Sequence, residues 1–351
     1  LCASVGGGLD RAMLLTTGAE SNEAAIRMAK LVTGRHEIVS FARSWHGMTQ
    51  AAANATYVAG RAGYGPAAPG NFALPVPDRY RPDLVDDAGE LDWRRQLDLG
   101  FALIDAQSVG SLAACIVEPI LSSGGVVDLP PGYLAALRDK CHERGMLLIL
   151  DEVMCGMGRT GKLFACTEDG VAPDMITIAK GLGAGYQPIG ALLTSAAIYD
   201  AIAAGTGFFQ HGHTYMGHAL AATAANAVLS EILDRDLLAH VTTQGDKLDA
   251  ALKAQFGDHD NIGDIRGRGL FRGIELVADR STKAPFDPSR GLAARIKKEA
   301  FAAGLICYPM SGTIDGQYGD HVLLAPPFII EDAQIDEVVG KLDMAVKAVF
   351  A

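Results

Sequence analysis

A lysine and an acidic pair each follow a short apolar segment of the sequence. Residues 147–150 precede Asp151 and Glu152, and residues 175–179 precede Lys180, which opens a glycine-rich loop. Short apolar runs of this kind are typical of buried strands, and the carboxyl ends of strands line the ligand crevice of an α/β sheet. We therefore expect Asp151 and Lys180 to face one crevice, where poor solvation of Lys180 favours its neutral, nucleophilic amine.

This pair of residues suits one cofactor in particular. Pyridoxal phosphate (PLP) uses a lysine to form a Schiff base and an acid to hold a proton on its pyridine nitrogen. A phosphate site is also predicted upstream, where Gly18 and Ala19 precede a helix whose free N–H groups and dipole favour an anion, although small residues there are also typical of plain capping. The sequence therefore predicts covalent chemistry on a carbonyl carbon, with PLP as the cofactor.

The composition restricts the partners of the chain. The 351 residues carry a net charge of −11, which argues against a nucleic-acid or anionic membrane surface. No apolar stretch approaches the roughly 18–20 residues of a membrane span. The six cysteines form no CxxC pair, so we predict reduced thiols and a cytoplasmic location. The first residues lack a starting Met and the basic region of a signal peptide, and we expect that the chain was cut from a longer one.

Strand-like and helix-like segments alternate up to about residue 228. This alternation predicts an α/β fold with a mainly parallel central sheet covered by helices. We predict a large domain over residues 1–228 and a smaller α+β domain over residues 229–351. The predicted elements of the first are a turn and helix over 9–32 with Ser21 as the cap, strands 37–41 and 113–117, a helix 133–144, and a surface excursion 57–96. Those of the second are helix 237–256, strands 269–277, 305–308 and 322–325, and a final helix.

Two other kinds of site compete with the PLP interpretation. Residues 156–162 satisfy both the GxGxxG and the GxxxxGK patterns, so a nucleotide-binding enzyme is an alternative hypothesis. Leu163 stands where a P-loop needs Ser or Thr, and no clear helix follows the glycines, which favours a structural loop. His211, His213 and His218 lie close together without a cysteine or an intervening carboxylate, and we assign no metal to them.

Eight motifs extend these observations to nearly the whole chain. They are TTGAESNEAAIRMAK (16–30), SWHGMT (44–49), EPILSSGG (118–125), LILDEVMCGMGRTG (148–161), IAKGLGAG (178–185), GHTYMGH (212–218), RGRGLFRGIEL (266–276) and LAPPF (324–328). With these motifs the chain resembles the class III PLP-dependent aminotransferases, which have the PLP-dependent transferase fold of type I. Its N-terminal half is most similar to the 2,2-dialkylglycine decarboxylases, a decarboxylating group of that family. The resemblance implies a homodimer, or a dimer of dimers, that transfers an amino group from an amine or amino acid to an α-keto acid.

The resemblance also implies roles for individual residues. Lys180 would form the Schiff base and then move a proton, and Asp151 would hold the pyridine nitrogen protonated. Trp45 would stack on one face of the ring and Val153 would pack on the other. The remaining implied cofactor contacts are the amides of Gly18 and Ala19 at the phosphate, Glu118 and Ser123 near the cofactor rim, His46, and Thr214, which would reach the phosphate in the neighbouring subunit. For Glu118, an ordinary ion pair with an arginine is the alternative.

Two positions depart from the decarboxylases. Met154 replaces a glutamine, and Leu323 with its neighbours stands where those proteins have an arginine for the substrate carboxylate. Without that guanidinium a bidentate carboxylate contact is lost, and the pocket becomes more apolar. We therefore expect transamination, with decarboxylation of a 2,2-dialkylglycine as the alternative. The carboxylate of the keto acid still needs a partner, for which Arg159 is one candidate.

Overall fold

The computed structural model describes residues 1–58 and 60–350, apart from the side chain of Tyr64. Its strands are β1 (Arg11–Leu15), β2 (Glu37–Phe41), β3 (Asn71–Leu74), β4 (Leu112–Val117), β5 (Ile120–Leu121), β6 (Val127–Asp128), β7 (Leu147–Asp151), β8 (Met175–Ile178), β9 (Gly190–Thr194), β10 (Ile262–Arg268), β11 (Phe271–Leu276), β12 (Tyr308–Ser311) and β13 (Asp320–Leu324).

The helices separate most of these strands. They are α1 (Cys2–Val5), α2 (Gly18–Thr33), α3 (Gln50–Asn54), α4 (Trp93–Gln107), α5 (Tyr133–Glu143), α6 (Ala196–Ala204), α7 (Ala219–Asp234), α8 (Leu237–Phe256), α9 (Leu292–Ala302) and α10 (Asp332–Phe350). Short 3₁₀ turns occupy Arg61–Tyr64, Ala165–Thr167, Lys180–Leu182 and Pro288–Arg290. Among the residues described, no helix is both long and apolar enough to cross a membrane.

Seven strands form the central sheet, in the order β1-β9-β8-β7-β4-β2-β3. The pairs from β8 to β3 are all parallel, whereas β9 runs antiparallel to both β8 and β1. Parallel neighbours need long crossover connections, and helices such as α5, between β4 and β7, provide them. The predicted α/β fold with a mainly parallel sheet is therefore confirmed.

Alternate residues of each central strand face two separate cores. On β4, Ala114 and Ile116 pack in one cluster with residues of α2 and α6. Cys115 and Val117 pack in another cluster with residues of α4 and α5. Because the side chains of a strand alternate between the two faces of a sheet, a strand covered on both faces must be apolar throughout. This is why the segments before Asp151 and Lys180 are continuous apolar runs.

A second sheet lies in the C-terminal part of the chain. It has the antiparallel order β10-β11-β13-β12, and α8, α9 and α10 pack with it around a core of its own. Sheet and helices together match the predicted α+β character of this region. The predicted boundary at residue 228 falls inside α7, and the division into domains at that residue stays a prediction.

Some predicted elements are wrong in detail. Thr17, not Ser21, caps α2, because the Thr17 hydroxyl accepts a hydrogen bond from the Glu20 amide while Ser21 is buried inside the helix. The strand predicted at 305–308 lies at Tyr308–Ser311 instead. Strands β1 and β10 escape prediction, as does β3 inside the predicted surface excursion. In β1 and β10 few residues are fully buried, so pairing with a neighbouring strand, not an apolar pattern, defines them.

Candidate active site

The ends of two neighbouring strands bring Asp151 and Lys180 to one cavity. β7 and β8 are parallel, and Asp151 lies opposite Thr177 in their register. Asp151 is the last residue of β7, and Lys180 follows two residues after β8 ends at Ile178. Both residues line a cavity of about 1620 Å³. The structure thus places them together at the carboxyl ends of the strands, where the sequence pattern put them.

Lys180 has an unusual backbone conformation. Its φ of 37° is positive, which costs energy in a residue that has a Cβ. The Leu182 amide donates to the Ala179 carbonyl and the Gly183 amide to the Lys180 carbonyl, and these bonds hold the turn. Strained residues of this kind cluster at functional sites. The residue is exposed, so the expectation of poor solvation is wrong, because Lys180 lies in the loop beyond the buried strand.

Three donors surround the Asp151 carboxylate, which is 3% exposed. Asn22 Nδ2 and His46 Nδ1 each lie 2.7 Å from Oδ2, and the Val153 amide donates to Oδ1 over 3.0 Å. An ionised carboxylate only accepts hydrogen bonds, so a proton between His46 and an ionised Asp151 resides on Nδ1. These donors satisfy the acceptor oxygens of an acid that lies in the protein interior.

Asn22 is a residue of this site that the sequence prediction missed. Its amide nitrogen also donates to the His46 carbonyl over 2.7 Å, and its Oδ1 accepts a hydrogen bond of 2.5 Å from the Thr177 hydroxyl. Asn22 follows Gly18 by four residues on α2, so the two lie on one face of the helix. That spacing is the signal that could have identified it, because Gly18 is itself a predicted site residue.

Glu118 forms hydrogen bonds at the cavity wall instead of the alternative ion pair. The Trp45 amide donates to Oε1 over 3.0 Å, and the Ser122 amide and hydroxyl donate to Oε2 over 3.0 and 2.5 Å. Within the described ranges, 1–58 and 60–350, these donors and not an arginine surround it. Burial raises the pKa of Glu118, and the nearby Asp151 carboxylate adds to the rise.

Ser123 is placed differently from its prediction. Ser122, one residue earlier, lines the large cavity. Ser123 instead lines a separate small cavity with Arg43 and Thr313. The chain turns sharply here, with the Gly125 and Val126 amides donating to the Ser122 carbonyl, so successive side chains point to opposite sides. The side chain beside Glu118 is therefore that of Ser122.

The first turn of α2 also lines the cavity. The amides of Gly18 and Ala19 have no acceptor among the described residues, whereas the next two amides donate to Thr17. A Cβ on Gly18 would lie 2.9 Å from Val153, and one on Gly47 would lie 2.5 Å from the Ala19 Cβ. The glycines thus let the chain approach closely and leave two free donors at the positive end of a helix, which is a suitable anion site.

Several other residues singled out from the sequence also line the cavity, whereas Leu323 does not. Trp45, His46, Val153, Met154 and Arg159 all line the cavity. Leu323 is buried in a small apolar cluster beside the cavity, against which Met154 packs. At this point the wall carries the side chain of Met154, and the more apolar pocket expected from the sequence stays a prediction.

The glycine loop 156–162 has no nucleotide-binding geometry. Its residues form turns, and only the three-residue 3₁₀ turn Ala165–Thr167 follows them. Gly158 and Gly161 have φ values of 101° and 90°, and a Cβ on Gly158 would come within 3.0 Å of Leu238 and Phe328. Backbone conformation and close packing therefore explain the glycines, and the structural interpretation is supported.

Thr214 does not line the cavity of its own chain. It is exposed, in a loop that His213 holds against the start of α2 through contacts of 3.3 Å to Thr16 Oγ1 and 3.5 Å to Glu20 Oε2. Its role at a neighbouring subunit stays a prediction. Across residues 1–58 and 60–350, no group of three His, Cys, Asp or Glu side chains is arranged to hold a metal ion.

Known proteins that are similar to this chain identify its family. The sequence profile of the class III aminotransferases matches residues 1–346. The chain belongs to this family. An uncharacterized aminotransferase of Schizosaccharomyces pombe is 40% identical over 338 residues, which are 96% of this chain and 73% of that protein.

Solved structures of class III aminotransferases share its fold. An (S)-enantioselective omega-transaminase from Thermomicrobium roseum superposes with a TM-score of 0.90 at 32% identity, over 100% of this chain and 78% of that one. A taurine:2-oxoglutarate aminotransferase from Bifidobacterium kashiwanohense, in complex with PLP and glutamate, gives 0.85 at 33% identity, over 97% and 75%. The fold is therefore the PLP-dependent transferase fold of type I, and these names do not favour the decarboxylase alternative.

The residues of this class III aminotransferase fit PLP, the cofactor of its family. Two unpaired amides at a helix start suit the phosphate, a buried and triply hydrogen-bonded carboxylate suits a pyridine nitrogen, and a lysine shares their cavity. The donor set thus matches the three polar parts of PLP, and the enzyme uses this cofactor.

Proposed function

We propose that this class III aminotransferase moves an amino group from an amine or amino acid to an α-keto acid, with Lys180 and Asp151 as its catalytic residues. The observation that carries the proposal is that these two residues line one cavity from the ends of adjacent strands. PLP, when bound, supplies the electron sink that stabilises negative charge at the substrate carbon. Residues of the chain would bind and orient the cofactor and transfer the proton.

Asp151 would keep the pyridine nitrogen protonated. A carboxylate next to a basic nitrogen favours its charged, protonated form, and the cationic ring is the better electron sink. His46 and Asn22 would orient the carboxylate, since both hold the same oxygen, Oδ2, at 2.7 Å. His46 thus acts on Asp151, which refines its predicted role as a cofactor contact.

The other lining residues would bind and orient the cofactor. Gly18 and Ala19 would donate their free amides to the phosphate. Trp45 and Val153, which both line the cavity, would enclose the ring between them. Glu118, held by the Trp45 amide and Ser122, would fix the backbone that carries Trp45 at the cofactor rim.

Lys180 would hold the cofactor through its amine nitrogen and then, as a free amine, carry a proton to and from the substrate carbon. An exposed lysine on a short turn has the freedom to do both. Proton transfer by a positioned side chain contributes about 10²–10⁴-fold to a rate. Lys180 combines this position on the cavity wall with a strained, positive φ, and such strain is typical of functional sites.

We also propose that the active unit is a homodimer to which Thr214 contributes from the neighbouring subunit. Phe208, Tyr215, Met216 and Leu220, on both sides of Thr214, are 69%, 66%, 39% and 59% exposed. Clusters of exposed apolar residues mark interaction surfaces. Light scattering on Tyr215→Arg should show a shift from dimer to monomer.

The cytoplasmic location stays a prediction, with which six free cysteines are consistent.

The visible spectrum of the protein with PLP tests the assignment of Lys180. Lys180→Ala should lose the absorbance band of the lysine-bound cofactor and all amino transfer. Lys162→Ala is the matched control, because Lys162 is exposed and does not line the cavity, and it should behave like the unchanged protein. A Lys180→Ala variant with the original band and turnover would sink the proposal.

A screen of donors and acceptors then defines the reaction. Amines, non-α amino acids and taurine should be tested as donors, with pyruvate and 2-oxoglutarate as acceptors, by following cofactor absorbance. We expect amino transfer without release of CO₂. Release of CO₂ from 2-aminoisobutyrate at a rate that matches amino transfer would contradict that expectation.

A further inference from the structure

Arg159 is a fixed cation on the cavity wall. Its Nη1 donates to the carbonyls of Leu270 and Pro326 over 3.1 and 2.6 Å. Its guanidinium carbon lies 4.5 Å from the centroid of the Phe328 ring. Contacts on one edge and one face therefore hold the guanidinium in place. Arg159 and Phe328 both line the same cavity as Lys180.

The other edge of this guanidinium has no protein partner. Guanidinium has five donors in a rigid fork, and Nη1 uses both of its own. Among the residues described, Nε and Nη2 donate to no acceptor. Neither of them is among the fully buried side-chain atoms that lack a hydrogen-bond partner. Arg159, a residue of the cavity wall, therefore keeps two parallel donors that no described residue uses.

Arg159 also lacks a counter-charge, unlike the other arginine of this cavity. Arg235 lies 3.3 Å from Glu231, and both residues line the cavity. No carboxylate of residues 1–58 and 60–350 pairs with Arg159, and its burial lowers its pKa to about 10. A buried cation without a partner is costly, and an anionic ligand would remove that cost.

We infer that Arg159 binds the carboxylate of the α-keto acid acceptor through its Nε and Nη2 edge. This inference rests on the proposed function. Two parallel N–H donors match the two oxygens of a carboxylate, and a lysine could not replace that geometry. Phe328, whose ring lies against Arg159 on the cavity wall, reduces access of water and so strengthens the pairing.

Measuring the two halves of the reaction separately tests this inference. With PLP-loaded enzyme and an uncharged amine, the donor half should be unchanged in Arg159→Met. In the acceptor half, the pyruvate concentration for half-maximal rate should rise by about 10–100-fold, since a charge-assisted bidentate contact is lost. Arg235→Met is the matched control and should leave both halves within about twofold, because its guanidinium is already paired.

A binding measurement keeps the inference independent of catalysis. The methyl resonance of pyruvate should broaden with the cofactor-free protein and with Arg235→Met, but not with Arg159→Met. Because Arg159 also holds two carbonyls, its Met variant could unfold, so Arg159→Lys is measured as well. Arg159→Lys keeps the positive charge but loses the two parallel N–H donors. Its half-maximal pyruvate concentration should lie between those of the unchanged enzyme and of Arg159→Met.

Two results would overturn the inference. One is an unchanged pyruvate dependence in folded Arg159→Met or, if that variant does not fold, in Arg159→Lys. The other is an equal shift in the donor half with an uncharged amine, which would mean a general disturbance of the site. Failure of the proposed function would look different, because the unchanged enzyme would then show no donor half-reaction at all.

Discussion

Replacing Asn22 by alanine should destabilise the protein at the point where three elements meet. The Asn22 side chain, from α2, donates to Asp151 at the end of β7 and to the His46 carbonyl, and it accepts from Thr177 on β8. It is 1% exposed, so water cannot replace the lost partners. The variant therefore removes three hydrogen bonds and leaves their partners buried.

The size of the effect follows from the types of bond. The bond to the Asp151 carboxylate contributes about 1.5–3 kcal/mol, and each of the two neutral bonds contributes about 0.5–1.5 kcal/mol. The bonds share one side chain and are not fully additive. We expect the free energy of unfolding to fall by about 3–5 kcal/mol, a large part of the roughly 5–15 kcal/mol of a typical protein.

Urea unfolding of the cofactor-free protein measures this change. Thr177→Val is the matched control, since it removes only the hydrogen bond from the Thr177 hydroxyl to Asn22 and should cost about 1 kcal/mol. PLP affinity should also fall in Asn22→Ala, because Asp151 loses one of the two side-chain donors on Oδ2. A loss of less than about 1 kcal/mol in Asn22→Ala, equal to that of Thr177→Val, would refute the reasoning.

Three further predictions concern the phosphate site and the C-terminal sheet. Gly47→Ala should weaken PLP binding by at least about tenfold in a fluorescence titration, because its Cβ would lie 2.5 Å from that of Ala19; unchanged affinity would exclude this contact. Thr17→Ala, which removes the α2 cap, should lower the free energy of unfolding by about 1 kcal/mol, and Thr17→Ser should restore most of it. His321 is fully buried, which lowers its pKa from 6.5 to about 3. As pH drops, His321 of the unfolded chain takes up a proton before His321 of the folded protein does, so the free energy of unfolding should fall from about pH 6.5 toward 3. In His321→Leu the slope of this fall should be smaller by up to about 1.4 kcal/mol per pH unit. If the free energy of unfolding, measured with urea, changes equally with pH in the two proteins across this range, the assignment is contradicted.

The strands that carry the site were predictable because burial on both faces leaves a direct trace in the sequence. β2 spans Glu37–Phe41 and β7 ends at Asp151, close to the predicted limits. β1 and β10 left no such trace, since several of their residues are exposed or only half-buried. Hydrogen bonding to a neighbouring strand, which no local pattern reveals, forms them.

Asp151 and Lys180 were predictable as a pair, because parallel strands that end in polar residues must place them at one edge of the sheet. The sequence did not determine their surroundings. Asn22, Ser122 and Thr177 reach this site from three different elements. Only the packing of α2 across the sheet could bring Asn22 to Asp151.

By itself the sequence determined the family and the cofactor, and it predicts Lys180 and Asp151 as the catalytic pair, since these depend on residue type and order along the chain. Only the tertiary structure decided that Lys180 is exposed, that Ser122 rather than Ser123 holds Glu118, and that Arg159 lines the cavity with two nitrogens that have no acceptor among the described residues. The reason is physical. Exposure, hydrogen-bond partners and unsatisfied charge are properties of groups distant in sequence, and they exist only once the chain has packed.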